Sequence, residues 1–343
     1  MANSQFLLSL GVAVLSALLS MLAIKAIRPL MLRHALAQPN ARSSHRVPTP
    51  QGAGIAVIAA TLVVAGTVIV LTGMTGMQIP VTVFGATLFI AIVGLVDDVH
   101  SISVLPRLLL QGAAVAAIVF SAPDELRITP WLPLSIERAA ILLAGLWFVN
   151  LVNFMDGLDL MTAAEAVPIS VAIVLFGWLG DVPPPVTIVA AALCGALFGF
   201  VPFNRPVAKI FLGDVGSLPI GLLLGWCLLE LAWQQKFAAA LLLPLYYLAD
   251  ATLTLFRRIA RHEPFWAAHR SHYYQRATDN GFTVWGVVGH VFLLNLFLAS
   301  LAIASTRHQS TSAAILYVVA GAAAVFLVLY RFSSKRPRGT SSA

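Results

Sequence analysis

Charged side chains are scarce in this sequence. Only 14 of its 343 residues are acidic and 21 are basic, so charged residues make up 10% of the chain, against about 25% in an average soluble domain. Hydrophobic residues account for 59% of the chain, and the mean hydropathy is +0.89. This composition excludes an ordinary soluble domain and indicates a protein that is built into a membrane.

Short alternating segments of the kind that build a membrane β-barrel are also missing. The sequence instead contains apolar runs of about 20 residues, each long enough to cross the hydrocarbon core as a helix. The first run is too long for a cleaved signal peptide. It also lacks the polar flank and the small-residue cleavage site of such a peptide, so we expect it to be retained. We predict an all-α, polytopic membrane bundle of about eleven helices, at residues 5–27, 53–73, 79–96, 105–121, 137–153, 163–180, 186–202, 215–233, 237–256, 284–305 and 312–332.

Cysteine is rare as well. Cys194 and Cys227 are the two cysteines, and both fall inside predicted spans. Free cysteine in such a place usually behaves as a small apolar core residue. We therefore interpret both as packing residues.

The Lys and Arg residues are distributed unevenly between the predicted loops. Because short basic loops stay in the cytoplasm, this asymmetry predicts an N-terminus outside and a C-terminus in the cytoplasm. We predict one transmembrane catalytic domain at 1–335, with a cytoplasmic basic loop at 257–283 and a short cytoplasmic tail at 336–343. The four basic residues on the outer side are Arg127, Arg138, Lys236 and Arg307.

Five of the few acids are predicted on the cytoplasmic face. Asp97 and Asp98 end the third span, Asp156 and Asp159 follow the fifth, and Asp214 opens the eighth. A lone acid at a helix end is usually a solvated cap, but clustered carboxylates repel one another unless a cation lies among them. Because hard oxygen ligands favour Mg²⁺ or Mn²⁺, the cluster predicts a divalent-cation site.

The loop after the ninth span is basic and aromatic. Its sequence, RRIARHEPFWAAHRSHYYQRATDNGF, carries five Arg and three His residues. Arg270 and His272 are interleaved with Trp266, Tyr273 and Tyr274, a composition suited to holding phosphate and stacking a base or sugar ring. A charge run is usually a solvated face, but this composition favours a functional loop.

A metal site and a phosphate-binding loop at the membrane surface together indicate phosphoryl transfer to or from a lipid. In such chemistry the protein mainly positions the groups and neutralises charge. One of Asp97 and Asp98 then helps to hold the metal, while the other orients or deprotonates the attacking group. The sequence leaves open which residue does which.

Five motifs, in order along the chain, resemble those of the polyprenyl-phosphate N-acetylhexosamine-1-phosphate transferases of glycosyltransferase family 4. They are QPNARSSHRVPTPQGAG (38–54), GLVDDV (94–99), NFMDGLDLM (153–161), PFNRPVAKIFLGDVGSLPIG (202–221) and HRSHYYQR (269–276). The resemblance implies that undecaprenyl phosphate attacks the β-phosphorus of a UDP-sugar with Mg²⁺ assistance, giving undecaprenyl-diphosphate-sugar and UMP. It also implies the bacterial inner membrane, an active site on its cytoplasmic face, and the first membrane step of O-antigen or related envelope polysaccharide synthesis.

The resemblance assigns roles residue by residue. Asp97, Asp98 and His272 match catalytic positions, and Asp214 matches the magnesium-binding aspartate, with Asp98 supporting the metal. The substrate-binding positions are Asn153, Asp156, Asp159, Asn204, Lys209, Arg270 and Arg276.

The last motif departs from the family pattern. Many relatives carry several histidines there, whereas this chain reads HRSHYYQR. That variant resembles the branch that begins O-antigen with a 6-deoxy-N-acetylhexosamine, such as FucNAc or QuiNAc, in place of GlcNAc. The expected partners are therefore undecaprenyl phosphate, a UDP-linked N-acetylated sugar and the lipid bilayer, with no nucleic acid. The many Gly and Ala residues in the spans also permit a homodimer.

Three alternatives remain. An ion-coupled transporter would place acids near the bilayer midplane, on broken helices within repeated halves; we count only Glu230 and Asp250 inside spans, near their ends, and find no internal repeat. A CDP-alcohol phosphotransferase would need Ala-Arg soon after Asp-Gly, where this chain reads DGLDLM. An inactive member that acts only in polysaccharide assembly is the third.

Overall fold

The computed structural model describes residues 2–34, 36–37, 48–74, 80–264, 269–308 and 310–335. Most of the first motif (38–47), Trp266 and the predicted tail lie outside these residues. Two short antiparallel strands, β1 (Leu36–Ala37) and β2 (Thr49–Pro50), lie between the first two helices. The helices are α1 (Ala2–His34), α2 (Ala53–Leu71), α3 (Pro80–Val99), α4 (Val104–Ser121), α5 (Leu134–Met155), α6 (Met161–Trp178), α7 (Pro184–Asn204), α8 (Asp214–Trp233), α9 (Phe237–Leu242), α10 (Leu245–Ala260), α11 (Tyr273–Asp279), α12 (Val284–Arg307) and α13 (Thr311–Ser333).

Ten helices in the described part of the chain are long and apolar enough to cross a membrane. This confirms the predicted all-α polytopic bundle, and the chain is an integral membrane protein. The eleven predicted runs correspond to those ten helices and to the pair α9 and α10. Pro244 separates that pair, because proline has no backbone N–H and its ring clashes with the preceding turn of a helix.

The count of two acids inside the spans is wrong. Besides Glu230 and Asp250, Glu137 lies in the first turn of α5 and Glu165 lies in α6, and both are buried. Each stands near the start of an apolar run, where a single acid changes the mean hydropathy little. Asp250 lies in the interior of α10 and is also buried.

The centre of the bundle is formed by α6, α7 and α8, whose residues are mostly buried. Outer helices such as α1 and α13 expose Leu, Val and Phe side chains instead. Lipid tails are as apolar as leucine, so these outer faces carry no penalty in a bilayer. Cys194 and Cys227 are buried and unbonded, which confirms their interpretation as packing residues.

Glycines bring α2, α3 and α8 into backbone contact at one end of the bundle. A Cβ atom on Gly54 would lie 2.3 Å from the backbone of Gly216, and one on Gly94 would lie 2.3 Å from the carbonyl oxygen of Asp214. No side chain fits at either point, so the helix backbones approach directly. The end of α3 therefore lies against the start of α8.

Gly94→Ala is expected to destabilise the protein by about 1–3 kcal/mol, the usual cost of forcing an extra methyl group into a packed contact. Gly85 lies on the same helix, but no atom lies within 4 Å of the position its Cβ would take. Gly85→Ala is therefore the matched control and should be neutral or slightly stabilising. Thermal unfolding in detergent measures both, and equal melting temperatures would contradict the contact between α3 and α8.

Candidate active site

The side chain of Asp98, at the end of α3, caps the start of α8. Its two carboxylate oxygens accept the backbone N–H groups of Asp214 at 2.9 Å and Val215 at 3.0 Å. First-turn N–H groups have no partner within their own helix, and their partial positive charge favours a carboxylate. Gly213, just before the helix, has φ of 77°, and a Cβ there would lie 2.5 Å from the Asp98 carboxylate. Glycine is therefore what allows this turn.

Asp214 is surrounded by polar groups from two other helices. Asn153 on α5 donates its Nδ2 to Asp214 Oδ1 at 2.8 Å and to the hydroxyl of Ser217 at 2.9 Å. The Asp97 carboxyl group on α3 lies within hydrogen-bonding range of the Asp214 carboxyl group. The predicted meeting of the ends of α3 and α5 with the start of α8 is present in the structure.

Asp97 is oriented by the helix that follows it. The guanidinium of Arg107 on α4 lies 2.8 Å from Asp97 Oδ2, and the backbone N–H of Ile102 donates to Oδ1 at 2.6 Å. The two neighbouring acids thus have different partners, since Asp98 bonds to α8 and Asp97 to Arg107. The pattern of residues alone leaves the roles of Asp97 and Asp98 open, and it does not predict that Arg107 pairs with one of them.

Asp156, in the loop after α5, completes the cluster. Burial and, to a smaller extent, the charges of Asp214, Asp98 and Asp159 together raise the pKa of Asp156 to about 7, although the hydroxyl of Thr162 donates to its carboxylate. The raised pKa reflects first the burial of this carboxyl group and then the neighbouring carboxylates. Asp97, Asp98, Asp156 and Asp214 are called the acidic centre below.

Asp159 and Asn204 join two loops beside the acidic centre. Asp159 accepts the N–H of Ala208 at 3.1 Å. The Asn204 side chain accepts the N–H of Leu160 at 2.7 Å and donates to the carbonyl of Ile210 at 3.2 Å. Both side chains are buried and position the backbone in the structure. Their predicted contacts with substrate stay predictions.

The described end of the first motif contacts two other motifs. Gln51 donates its side-chain amide to the carbonyl of Asp98 at 3.1 Å. The N–H groups of Gly52 and Ala53 both donate to the carbonyl of Phe211, at 3.1 and 3.0 Å. Residues 48–54 therefore hold the FLGD segment in place, a role that sequence analysis did not identify.

Asp250 on α10 organises the HRSHYYQR segment, and sequence analysis missed this role. Its fully buried carboxylate accepts the N–H groups of Tyr273 at 2.9 Å and Tyr274 at 3.0 Å, and lies 3.3 Å from Nδ1 of His272. Because a carboxylate only accepts hydrogen bonds, this contact places a proton on Nδ1 of His272. A pairing across 22 residues has no local signature.

Tyr274 ties the HRSHYYQR segment to the loop that carries Asp156. Its hydroxyl donates to the carbonyl of Phe154 and accepts the N–H of Gly157, both at 3.1 Å. The ring is fully buried and stacks on His272, with centroids 5.7 Å apart. The expectation that Tyr274 stacks a base or sugar ring is therefore wrong, because neither face is accessible.

The three cations predicted to bind phosphate have different surroundings. Arg270 pairs with Asp279 at 3.4 Å, and the guanidinium of Arg276 lies 5.8 Å from the centroid of the Tyr273 ring. The side chain of Lys209 is exposed. Their contacts with substrate stay predictions. The basic loop is also partly structured, since α11 lies within it.

The donors suit a magnesium ion that is shared with a substrate. Within the described ranges, no three His, Cys, Asp or Glu side chains converge as a complete metal site. Mg²⁺, however, is usually held by one or two carboxylates together with substrate phosphates and water. Asp97 and Asp214, adjacent to one another, fit that pattern, and the amide of Asn153 orients Asp214. Asp98 bonds to the first turn of α8 beside them, and its predicted contact with the metal stays a prediction.

The fold and the site define a polytopic membrane protein with an acidic centre and an anchored basic segment at one end of its bundle. Residues 80–232 match the family described as Glycosyl transferase family 4. This match agrees with the resemblance shown by the five motifs, three of which lie within the matched residues.

The chain is similar to three named enzymes. It is 33% identical over 241 residues to the decaprenyl-phosphate N-acetylglucosaminephosphotransferase of Mycolicibacterium smegmatis, covering 62% of this chain and 58% of that protein. It is 26% identical over 280 residues to the "Probable undecaprenyl-phosphate N-acetylglucosaminyl 1-phosphate transferase" of Bacillus subtilis, covering 77% and 76%. It is 31% identical over 183 residues to the phospho-N-acetylmuramoyl-pentapeptide-transferase of Micrococcus luteus, covering 39% and 49%. The match spans less than two thirds of the first and third relatives.

The raised pKa of Asp156 predicts a pH-dependent stability. The folded chain keeps this proton up to about pH 7, whereas an unfolded aspartate loses it near pH 4. The folded state binds more protons in that interval, so its stability falls as the pH rises from about 4 to about 7.

We expect the melting temperature of metal-free protein in detergent to fall over this range. Asp156→Asn, which does not titrate, should reduce the fall, whereas Asp124→Asn, at an exposed carboxylate, should not. The same pH dependence of the melting temperature in wild type and Asp156→Asn would contradict the raised pKa of Asp156.

Proposed function

We propose that this protein transfers a sugar-1-phosphate from a UDP-linked N-acetylhexosamine to undecaprenyl phosphate, with Mg²⁺ as cofactor. The observation that carries the proposal is the junction made by Tyr274. Its hydroxyl holds the HRSHYYQR segment, with His272, against the loop of Asp156. Carboxylates for a cation and cationic side chains for phosphate are therefore fixed at the same end of a membrane bundle.

The relatives support a lipid phosphate as acceptor. Two of the three bear names that state decaprenyl phosphate or undecaprenyl phosphate together with N-acetylglucosamine. The family match covers α3 to α8 almost completely, and this part of the chain contains the whole acidic centre. We infer the same class of reaction for this chain.

An apolar groove supports a long-chain lipid as one substrate. A cavity of about 450 Å³ lies between α4, α5, α8 and α9, and nearly all of its lining is apolar. Gly221 in this lining is seven residues from Asp214 along α8, which is about 10 Å in a helix. An isoprenoid tail in the groove would bring its phosphate close to the acidic centre.

In the proposed reaction, an oxygen of undecaprenyl phosphate attacks the β-phosphorus of the UDP-sugar. The bond from that phosphorus to the oxygen of UMP breaks, giving undecaprenyl-diphosphate-sugar and UMP. Bound Mg²⁺ would neutralise charge on the phosphate oxygens, and Asp214 and Asp97 would hold it. Asp98 keeps the first turn of α8 in position, and His272 offers Nε2 to the substrates.

We propose that the sugar is an N-acetylhexosamine or its 6-deoxy form. The step would be the first membrane step of O-antigen or related envelope polysaccharide synthesis, at the cytoplasmic face of the bacterial inner membrane. The HRSHYYQR variant bears on this choice through Tyr274, which contacts the Asp156 loop and has no exposed surface of its own.

The ion-coupled transporter is the alternative from another class. The division of α9 and α10 at Pro244 and the buried Glu165 are features that transporters share. The match of residues 80–232 to Glycosyl transferase family 4 favours the transferase. Release of a nucleotide product separates the two, because a transporter forms none.

The direct test is release of UMP by purified protein with undecaprenyl phosphate and Mg²⁺. UDP-GlcNAc, UDP-GalNAc, UDP-FucNAc and UDP-QuiNAc are offered in parallel. We expect release that needs both lipid and metal, with the best donor identifying the sugar. No release with any donor, from protein shown to be folded, would overturn the proposal.

Asp214→Asn is expected to reduce transfer to below about one hundredth of the wild-type rate, because it removes a charge that holds the cation. The asparagine oxygen can still accept the hydrogen bond from Asn153, so expression and membrane insertion should be kept. Asp124→Asn, at an exposed carboxylate, is the control. Near-normal turnover of Asp214→Asn would refute its assignment to the metal.

His272→Ala is expected to slow UMP release far more than His308→Ala. His272 is buried against Asp250, whereas His308 is exposed at the end of α12. Initial rates measured at saturating lipid compare the two variants. Equal losses of rate in the two variants would contradict the assignment of His272 to the site.

A further inference from the structure

Glu165 is a buried acid to which the proposed reaction assigns no role. It lies in α6, nine residues after Asp156, and is 2% exposed. An ionisable side chain inside a membrane bundle is costly, so its presence points to a functional requirement.

The side-chain hydrogen bond of Glu165 reaches α12 and engages one of its two oxygens. Its Oε2 accepts a hydrogen bond from Nδ2 of Asn295 at 2.6 Å, and the same nitrogen lies 3.0 Å from the carbonyl of Ala164. Glu165 Oε1, which is also buried, accepts no hydrogen bond of standard geometry from any described residue.

Glu165 lies near the start of α10, where the first backbone N–H groups need an acceptor. Pro244 ends the preceding helical segment, so the first N–H groups of α10 have no carbonyl partner within the helix. Lipid offers no hydrogen-bonding groups to such a helix end. The backbone N–H of Tyr247, in the first turn, lies close to the Glu165 carboxyl group. A carboxyl oxygen is the acceptor that a helix N-terminus favours.

Residues of the candidate site lie next to Glu165 on α6 and next to Tyr247 on α10. On α6, Thr162 lies one turn before Glu165 and donates to the carboxylate of Asp156. On α10, Asp250 lies three residues after Tyr247, about 4.5 Å along the helix, and accepts hydrogen bonds from the HRSHYYQR segment. A shift of the first turn of α10 would therefore move Asp250 and, with it, His272.

We propose that Glu165 is a positioning residue for the transfer reaction. Its carboxyl group holds the first turn of α10 against α6 and α12, and so fixes the Asp250–His272 pair relative to Asp156. This inference rests on the proposed function, so its test includes a measurement that does not require transfer.

The test compares Glu165→Ala and Glu165→Gln with Glu230→Ala. Glu230 is the matched control, since it is a buried glutamate of α8 whose carboxylate bonds only to Trp226 on its own helix, at 3.0 Å. We expect Glu165→Ala to lower kcat about tenfold or more with little change in KM, because a small misplacement of reacting groups is enough for that loss. Glu165→Gln keeps the shape and an acceptor oxygen, so it should recover most of the rate. Glu230→Ala should leave kcat unchanged.

The second measurement is hydrogen–deuterium exchange of residues 269–280 in the full-length protein. We expect faster exchange in Glu165→Ala than in wild type, with no change in Glu230→Ala. If the alanine variant does not fold, Glu165→Met replaces it, since its side chain has nearly the same volume.

Unchanged exchange in the Glu165 variant, or equal effects of the two glutamate variants on kcat, would overturn the inference. Absence of UMP release by the wild type would instead overturn the proposed function, so the two failures are distinguishable.

Discussion

The carboxylate of Asp98 connects the end of one membrane helix to the start of another, and the candidate site is assembled around that connection. Without it, the N–H groups of Asp214 and Val215 would lack a charged acceptor, at a cost of about 1–3 kcal/mol for each buried group left unpaired. With it, Asp214 lies beside Asn153 and Asp97. The glycines that replace side chains between α2, α3 and α8 make the connection sterically possible.

The acidic centre lowers the stability of the folded protein when no cation is bound. Burial and the repulsion of neighbouring carboxylates both raise the pKa of Asp156 there, and no simple packing need explains four acids at one end of an apolar bundle. A divalent cation that arrives with the phosphates of the substrates would relieve the repulsion. Natural proteins often give up stability in this way at functional sites.

The membrane helices and the location of the acids at their ends could be predicted from the sequence. Runs of about 20 apolar residues match the bilayer thickness, and Asp97, Asp156 and Asp214 each stand next to the end of such a run. The partners of these residues could not be predicted. Arg107 pairs with Asp97 and Asp250 pairs with His272 only because of how the helices rotate and pack. Spans that are apolar on all sides give no periodicity from which that rotation can be read.

The most direct measurement is electron paramagnetic resonance of Mn²⁺ bound to purified protein with UDP, whose diphosphate is common to every donor considered. If the acidic centre shares its cation with substrate phosphates, the wild type should bind Mn²⁺ with ³¹P hyperfine coupling. Asp214→Asn should lose both the binding and the coupling. Mn²⁺ bound equally by the two proteins, or bound without ³¹P coupling, would contradict the assignment of the acidic centre as the site of transfer.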